Sequence, residues 1–394
     1  MLEQILAAHP QFFDTITKQK EAFKLQIIYT QIDRGANNQP QFKSYYYNVD
    51  TANYFYPAST VKMPVALLAL QRLRELRIPG LDLHSTMITG QQEGRQTPVY
   101  NDPTTPDGRP SIAQYVRKIF LVSDNDAFNR LYEFLGPQYI NERLHAMGFG
   151  HAEIRHRLAV PLSEEENRRT NPVSFFSPAG KSLYTQPQQV YEAPFLKRTD
   201  SLGIAHYNDQ EELVQGPMDF SRKNQLTLEE LTHILKSIMF PESVPPVQRF
   251  NVEPEDLQFV RKYMSQLPGE TTYPAYDSAT YHDAYGKFLL MGAAHEALPP
   301  HVRIFNKIGD AYGFLTDVAY IVDFEKGIEF MLSATLYCNS DGILNDNKYD
   351  YETVGFPFMK NLGRVIYDYE AARRKSRPDL SAFQLQYDKP RIKQ

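Results

Sequence analysis

Strand-like segments stand near both ends of this chain, those near the start with period-two alternation, while the segments between are mainly helical. That distribution limits the fold more than any other feature. A strand must pair its backbone groups, so strands from the two ends must meet in one sheet around whatever lies between them. Near the start, Phe23, Leu25, Ile27 and Tyr29 alternate, residues 34–40 carry a turn signal, and the aromatic run 42–49 reads as a second strand paired with the first. Near the end, residues 302–307, 314–322 and 328–337 read as strands, with Glu325, Lys326 and Gly327 as a hairpin turn between the last two.

The remainder is mainly helical. Residues 2–20 show helical periodicity interrupted at Pro10, and a strongly apolar helix runs from Pro57 to Leu76, stopping before Pro79 and Gly80. Apolar residues on nearly every side predict that this helix is buried. Further helices are expected over 111–120 and from Asn125 to Leu135 and Gly136. Another should follow Thr227, which forms a capping-box pattern with Glu230, and a closing helix should span 358–374. Residues 157–225 are rich in Pro, Gln, Asn, Ser and Tyr and read as long loops, ordered by interspersed aromatics such as Phe175 and Tyr184. The expectation is an α/β (α+β) fold, with an antiparallel sheet built from both chain ends, flanked by helices, and an inserted mainly helical domain. The corresponding division is 1–62 with 300–394 against 63–299.

A chain of 394 residues, 42% hydrophobic, can bury a sizeable core. Its net charge of -5 and the lack of a dense basic block give no reason to bind nucleic acid. No apolar run approaches the ~20 residues that span a bilayer, so the chain is not membrane-embedded as a helix. The opening residues Met1 to Leu6 lack the basic start and apolar stretch of a secretory signal. The single cysteine, Cys338, excludes an intrachain disulfide, and its apolar neighbours point to a buried strand position. The ten histidines form no His-Glu-x-x-His pattern, and Gly148-Phe149-Gly150 lacks the third glycine of a dinucleotide site, so neither metal nor cofactor is expected.

Ser59 and Lys62 lie three residues apart near a helix start, where a hydroxyl and an amine share one face. Free N–H groups at that helix end favour a developing oxyanion, and enclosure by Val61, Met63 and Val65 favours a neutral lysine able to act as a base. A Ser-x-x-Lys spacing arises by chance about once or twice in such a chain, but Ser123-Asp124-Asn125 is expected only on the order of 0.05 times. Lys307-Ile308-Gly309 supplies a third element near the end of a strand.

Together, in this order, the three elements resemble the Ser-x-x-Lys, Ser-Asp-Asn and Lys-Thr-Gly set of class A β-lactamases and penicillin-binding serine hydrolases. The resemblance covers both chain ends and about 50–150. It implies that Ser59 attacks a carbonyl, Lys62 accepts its proton and Ser123 relays a proton to the leaving nitrogen. It also implies that Asn125 and Lys307 bind substrate, that the N–H groups of Ser59 and Asp310, beside Gly309, form the oxyanion hole, and that Tyr100 flanks the site. The implied setting is the bacterial periplasm or exterior, with a small-molecule β-lactam or cell-wall peptide as partner.

Two departures bear on activity. Ile308 replaces the hydroxyl residue that helps bind the substrate carboxylate in the family, and no acid stands at the family spacing after Arg157. The nearest acids are Glu164, Glu165 and Glu166, of which Glu166 is the candidate deacylation base, against a plain solvated acidic run. Three readings follow: a β-lactamase-like hydrolase, a penicillin-binding DD-peptidase or esterase on the same fold, or a catalytically silent protein that binds peptidoglycan fragments.

Overall fold

The computed structural model describes residues 1–92, 96–373 and 378–391. Helices α1 (Leu2–Ala7) and α2 (Pro10–Lys18) open the chain, with Pro10 beginning the second helix as its first residue, where the missing N–H costs nothing. Strands β1 (Gln26–Arg34) and β2 (Pro40–Tyr47) pair antiparallel, with Ile28 opposite Tyr46. A 3-10 turn, Ala58–Val61, then feeds α3 (Lys62–Leu76), which is buried along most of its length as its composition requires.

After β3 (Thr86–Thr89), helix α4 (Ile112–Val122) is capped by Ser111, and α5 (Asn125–Ala146) by Asp124, whose carboxylate accepts from Ala127 N at 2.8 Å. The expected stop at Gly136 is instead a kink. Gly136 takes φ 71°, Pro137 restarts the helix, and α5 continues for another ten residues to Ala146. Helix α6 (Glu164–Asn167) and β4 (Val173–Phe176), β5 (Ser182–Gln186), β6 (Ser201–Leu202), β7 (Ala205–Tyr207), β8 (Leu213–Gln215) and β9 (Met218–Asp219) occupy the segment read as loops. These strands are short and pair in small sheets, two of them completed by a distant segment, so local periodicity had no length over which to show itself.

Helix α7 (Leu228–Met239) carries the expected capping box between Thr227 and Glu230. Helix α8 (Pro254–Ser265), not anticipated from sequence, starts at Pro254 with Glu253 as its N-cap. Strands β10 (Val302–Ala311), β11 (Phe314–Asp323) and β12 (Ile328–Tyr337) follow, then β13 (Ile343–Leu344) and α9 (Phe356–Ala372). The expected end of the last helix, Arg374, lies outside the described residues.

One antiparallel sheet in the order β10-β11-β12-β1-β2 joins the two chain ends. Its central strands are buried on both faces. In β11, Phe314, Val318, Tyr320 and Val322 enter the core shared with α3, α4, α5 and α7, while Leu315, Ala319 and Ile321 enter a second core shared with α1, α2 and α9. Burial of each such side chain contributes roughly 1.5–3 kcal/mol. Cys338 is fully buried one residue beyond β12. Among the described residues no helix is long and apolar enough to cross a membrane.

Candidate active site

The turn Ala58–Val61 presents the first motif. Ala58 sits in the left-handed region at φ 45°, a conformation that costs an L-residue on the order of 1 kcal/mol, and Thr60 ties the turn down by donating its hydroxyl to Pro57 O at 2.6 Å. Sequence periodicity implied an α-helix through Ser59. The 3-10 geometry found instead eclipses side chains three residues apart, and it sets Lys62 Nζ 2.8 Å from Ser59 Oγ.

The second motif arrives from the α4–α5 junction. Ser123 ends α4 in a left-handed conformation at φ 59°, turning its carbonyl and hydroxyl toward Lys62. Lys62 Nζ lies 2.5 Å from Ser123 O, 3.3 Å from Ser123 Oγ and 2.6 Å from Asn125 Oδ1. Lys307, on β10, donates to Ser123 Oγ at 2.8 Å and to Ile308 O at 2.8 Å. Ser59, Lys62, Ser123, Asn125 and Lys307 thus form one hydrogen-bonded cluster at the meeting of the sheet edge with α3 and α5.

Electrostatics favour a neutral base. Burial drives the Lys62 ammonium well below its ordinary range, the nearby Lys307 adds to the depression, and Asp124 and Asp310 oppose it. Burial likewise lowers Lys307 to about 7, against the attraction of Asp310 and Asp317. A neutral Lys62 has two N–H groups and one lone pair. Ser123 O and Asn125 Oδ1 accept two such N–H groups, and a neutral amine held this way would turn its lone pair toward the Ser59 hydroxyl.

Gly309 lets β10 approach this turn. A Cβ there would lie 2.7 Å from Pro57 O and 3.0 Å from the N atoms of Ser59 and Thr60, so only glycine admits the contact. The next residue, Asp310, remains open to solvent at the strand end, while the surrounding protein raises its carboxyl and Lys307 and Lys62 pull it down.

Other expected residues lie outside the cluster. Tyr100 is 65% exposed on the loop before Asp102. The Glu166 carboxylate accepts from Ser163 N at 2.7 Å and Ser163 Oγ at 2.8 Å, the capping box of α6. The loop leading to it is anchored by the buried Arg157, which donates to the buried Glu133 Oε1 at 2.8 Å and to Arg169 O at 2.7 Å. Ile308 packs in the second core with Phe288 and Leu289, so a hydroxyl at this position would sit among apolar groups.

Sequence reasoning missed the support behind Lys307. Asn306, on the opposite strand face, accepts from Lys287 Nζ at 2.6 Å and donates to Asp317 Oδ1 at 2.8 Å, while Asp317 Oδ2 accepts from Leu289 N at 2.9 Å. The available signal was an Asn and an Asp inside otherwise apolar strands, where an unpaired polar group is costly.

The sequence model of the beta-lactamase enzyme family matches residues 11–266. The chain belongs to this family. Among solved structures, this beta-lactamase family member is similar to the beta-lactamase of Streptomyces albus G, at 13% identity over 93% of this chain and 98% of that one, with a TM-score of 0.50. It is also similar to the class A beta-lactamase of Clostridium kluyveri, at 14% identity over 91% and 98% of the two chains, with a TM-score of 0.50. At such identities the likeness concerns the fold alone. No curated protein matches the sequence.

Proposed function

We propose that this protein is a serine acyl-transfer hydrolase that opens a β-lactam or related amide through an acyl-enzyme at Ser59. The observation that carries the reading is the Lys62 amine, buried, depressed in pKa and 2.8 Å from Ser59 Oγ. In the proposed reaction Ser59 Oγ attacks the carbonyl as its proton passes to Lys62 Nζ, and the negative oxygen forms beside the N–H groups of Ser59 and Asp310. Collapse breaks the C–N bond. The proton reaches the leaving nitrogen through Ser123 Oγ, which lies between Lys62 and Lys307. Asn125 and Lys307 hold the substrate, and water then hydrolyses the Ser59 ester. The periplasm or exterior of a bacterium, where such amides are met, is the location this reading implies.

The capping role of Glu166 favours a second outcome for the last step. A carboxylate oxygen engaged by Ser163 is a weaker base toward water, and on this reading the ester persists, as in a penicillin-binding DD-peptidase. Intact mass after brief exposure to benzylpenicillin tests both points. The expected result is a one-drug adduct that is absent in Ser59→Ala, and its lifetime separates rapid turnover from a persistent acyl-enzyme. An adduct retained in Ser59→Ala overturns the assignment of the nucleophile.

A further inference from the structure

Strand β10 is an edge strand of the five-stranded sheet, and near its end Asp310 follows directly on Gly309, the residue that touches the Ser59 turn. Side chains alternate along a strand, so Asp310 shares a face with Ile308. It also lies opposite Leu315, which like Ile308 belongs to the second core. Ile308 and Leu315 are buried, whereas Asp310 is exposed beyond them at the strand end. Burial lowers both amines of the site, Lys62 and Lys307, and Asp310 pulls each of them back up. Its carboxylate therefore acts on the same groups that surround Ser59.

Asp124, Asp310 and Asp317 all bear on these amines, and two of the three are committed. Asp124 caps α5 by accepting from Ala127 N at 2.8 Å, while Asp317 accepts from Phe288 N at 3.1 Å, Leu289 N at 2.9 Å and Asn306 Nδ2 at 2.8 Å. The Asp310 carboxylate makes no hydrogen bond or ion pair among the described residues. The positive charges are disposed in the opposite way. Burial drives Lys62 toward the neutral amine and lowers Lys307 to about 7, and Lys307 donates to Ser123 Oγ and Ile308 O. Lys287 has all three N–H groups taken, by Met264 O, Ile304 O and Asn306 Oδ1. Arg303 is forked onto Glu270 at 2.7 and 2.8 Å, and Lys223 is turned to the Tyr312 hydroxyl at 3.3 Å. The charge left facing solvent at the end of β10 is the negative one on Asp310.

We propose that Asp310 sets the charge this site accepts, disfavouring an amide with a carboxylate beside the scissile bond and favouring one with an ammonium there. The inference rests on the reading of Ser59 as the acylated residue, and it names the substrate class: amides that are cationic next to the bond that breaks. In the proposed reaction the Asp310 N–H holds the oxyanion, so the side chain of the same residue ends on the order of 6 Å from the reacting carbonyl. The hydroxyl that helps bind a substrate carboxylate in the family is absent, since Ile308 takes its place. Loss of that donor and repulsion by Asp310 act in the same direction.

The test uses benzylpenicillin, which carries such a carboxylate, its methyl ester, which is neutral there, and its 2-(diethylamino)ethyl ester, which places an ammonium there. Equilibrium binding is measured by calorimetry on Ser59→Ala, with and without Asp310→Asn. Acylation rates are measured by mass on protein that retains Ser59, with and without the same substitution. Thermal unfolding first shows each variant to be folded, and Asp310→Glu, which keeps the charge, is carried alongside. With Asp310 present, the expected order in both assays is cationic ester, neutral ester, benzylpenicillin, with about ten-fold between first and last. Asp310→Asn removes the order and Asp310→Glu keeps it. Equal values for the three compounds, a preference for benzylpenicillin, or an order that survives Asp310→Asn overturns the proposal. Acylation without a charge preference refutes the role of Asp310 alone. An Asp310-dependent preference in binding without acylation refutes the acyl-enzyme reading alone, and neither binding nor acylation overturns both.

Discussion

Gly309→Ala tests whether the approach of β10 to the Ser59 turn defines the site. The added Cβ would lie 2.7 Å from Pro57 O, about 0.7 Å inside the 3.4 Å at which ordinary contact begins, and 3.0 Å from the N atoms of Ser59 and Thr60. All three obstacles are backbone, so no side-chain rotation relieves them, and strand and turn must separate by several tenths of an ångström. Overpacking of this kind costs about 1–3 kcal/mol of stability. A displacement on the order of 1 Å at reacting groups costs roughly 100-fold in rate, so a shift of this size should slow acylation by about ten-fold or more. Urea unfolding reports the stability, and the rate of benzylpenicillin adduct formation by mass reports the acylation. A variant that unfolds like the unaltered protein and acylates within two-fold of its rate would refute the argument, because the close approach would then have no bearing on the nucleophile.

The depressed amine at Lys307 makes stability depend on pH. Its folded pKa of about 7 lies below the ordinary 10.5, so between these values the unfolded chain binds the extra proton and stability rises with pH, by up to about 1.4 kcal/mol per unit. Urea titrations from pH 6 to 10 should show this rise flattened in Lys307→Met, and an unchanged slope would mean that Lys307 titrates normally. The buried pair of Arg157 and Glu133 predicts that Glu133→Ala loses about 3–5 kcal/mol in the same assay, since it strands a guanidinium that is 3% exposed; a loss under 1 kcal/mol would show that Arg157 is satisfied by its carbonyl partners.

Much of the site was legible because its chemistry is written in short segments. Ser59 with Lys62 and Ser123 with Asn125 each lie within one turn of chain, so spacing alone indicates which side chains share a face. The two-ended sheet was legible for a related reason: β1, β2, β10, β11 and β12 are long enough to display alternation or a continuous apolar run. The short strands from β4 to β9 were not, because two to five residues carry no period.

What tertiary structure alone decided is how these local pieces are aimed. Nothing in the residues around Ser123 announces the left-handed turn that brings its carbonyl to Lys62, and nothing around Lys307 announces that Ser123, 184 residues away, receives its ammonium. The Ser163 capping box that engages Glu166 is visible in the sequence as Ser-x-x-Glu, yet whether that carboxylate faces solvent, helix or nucleophile depends on how Arg157 and Glu133 hold the loop. The physical division is one of range. Periodicity, capping and turn chemistry act over a few residues and are carried by the sequence itself, whereas desolvation of Lys62 and the approach of Gly309 exist only once distant segments exclude water together.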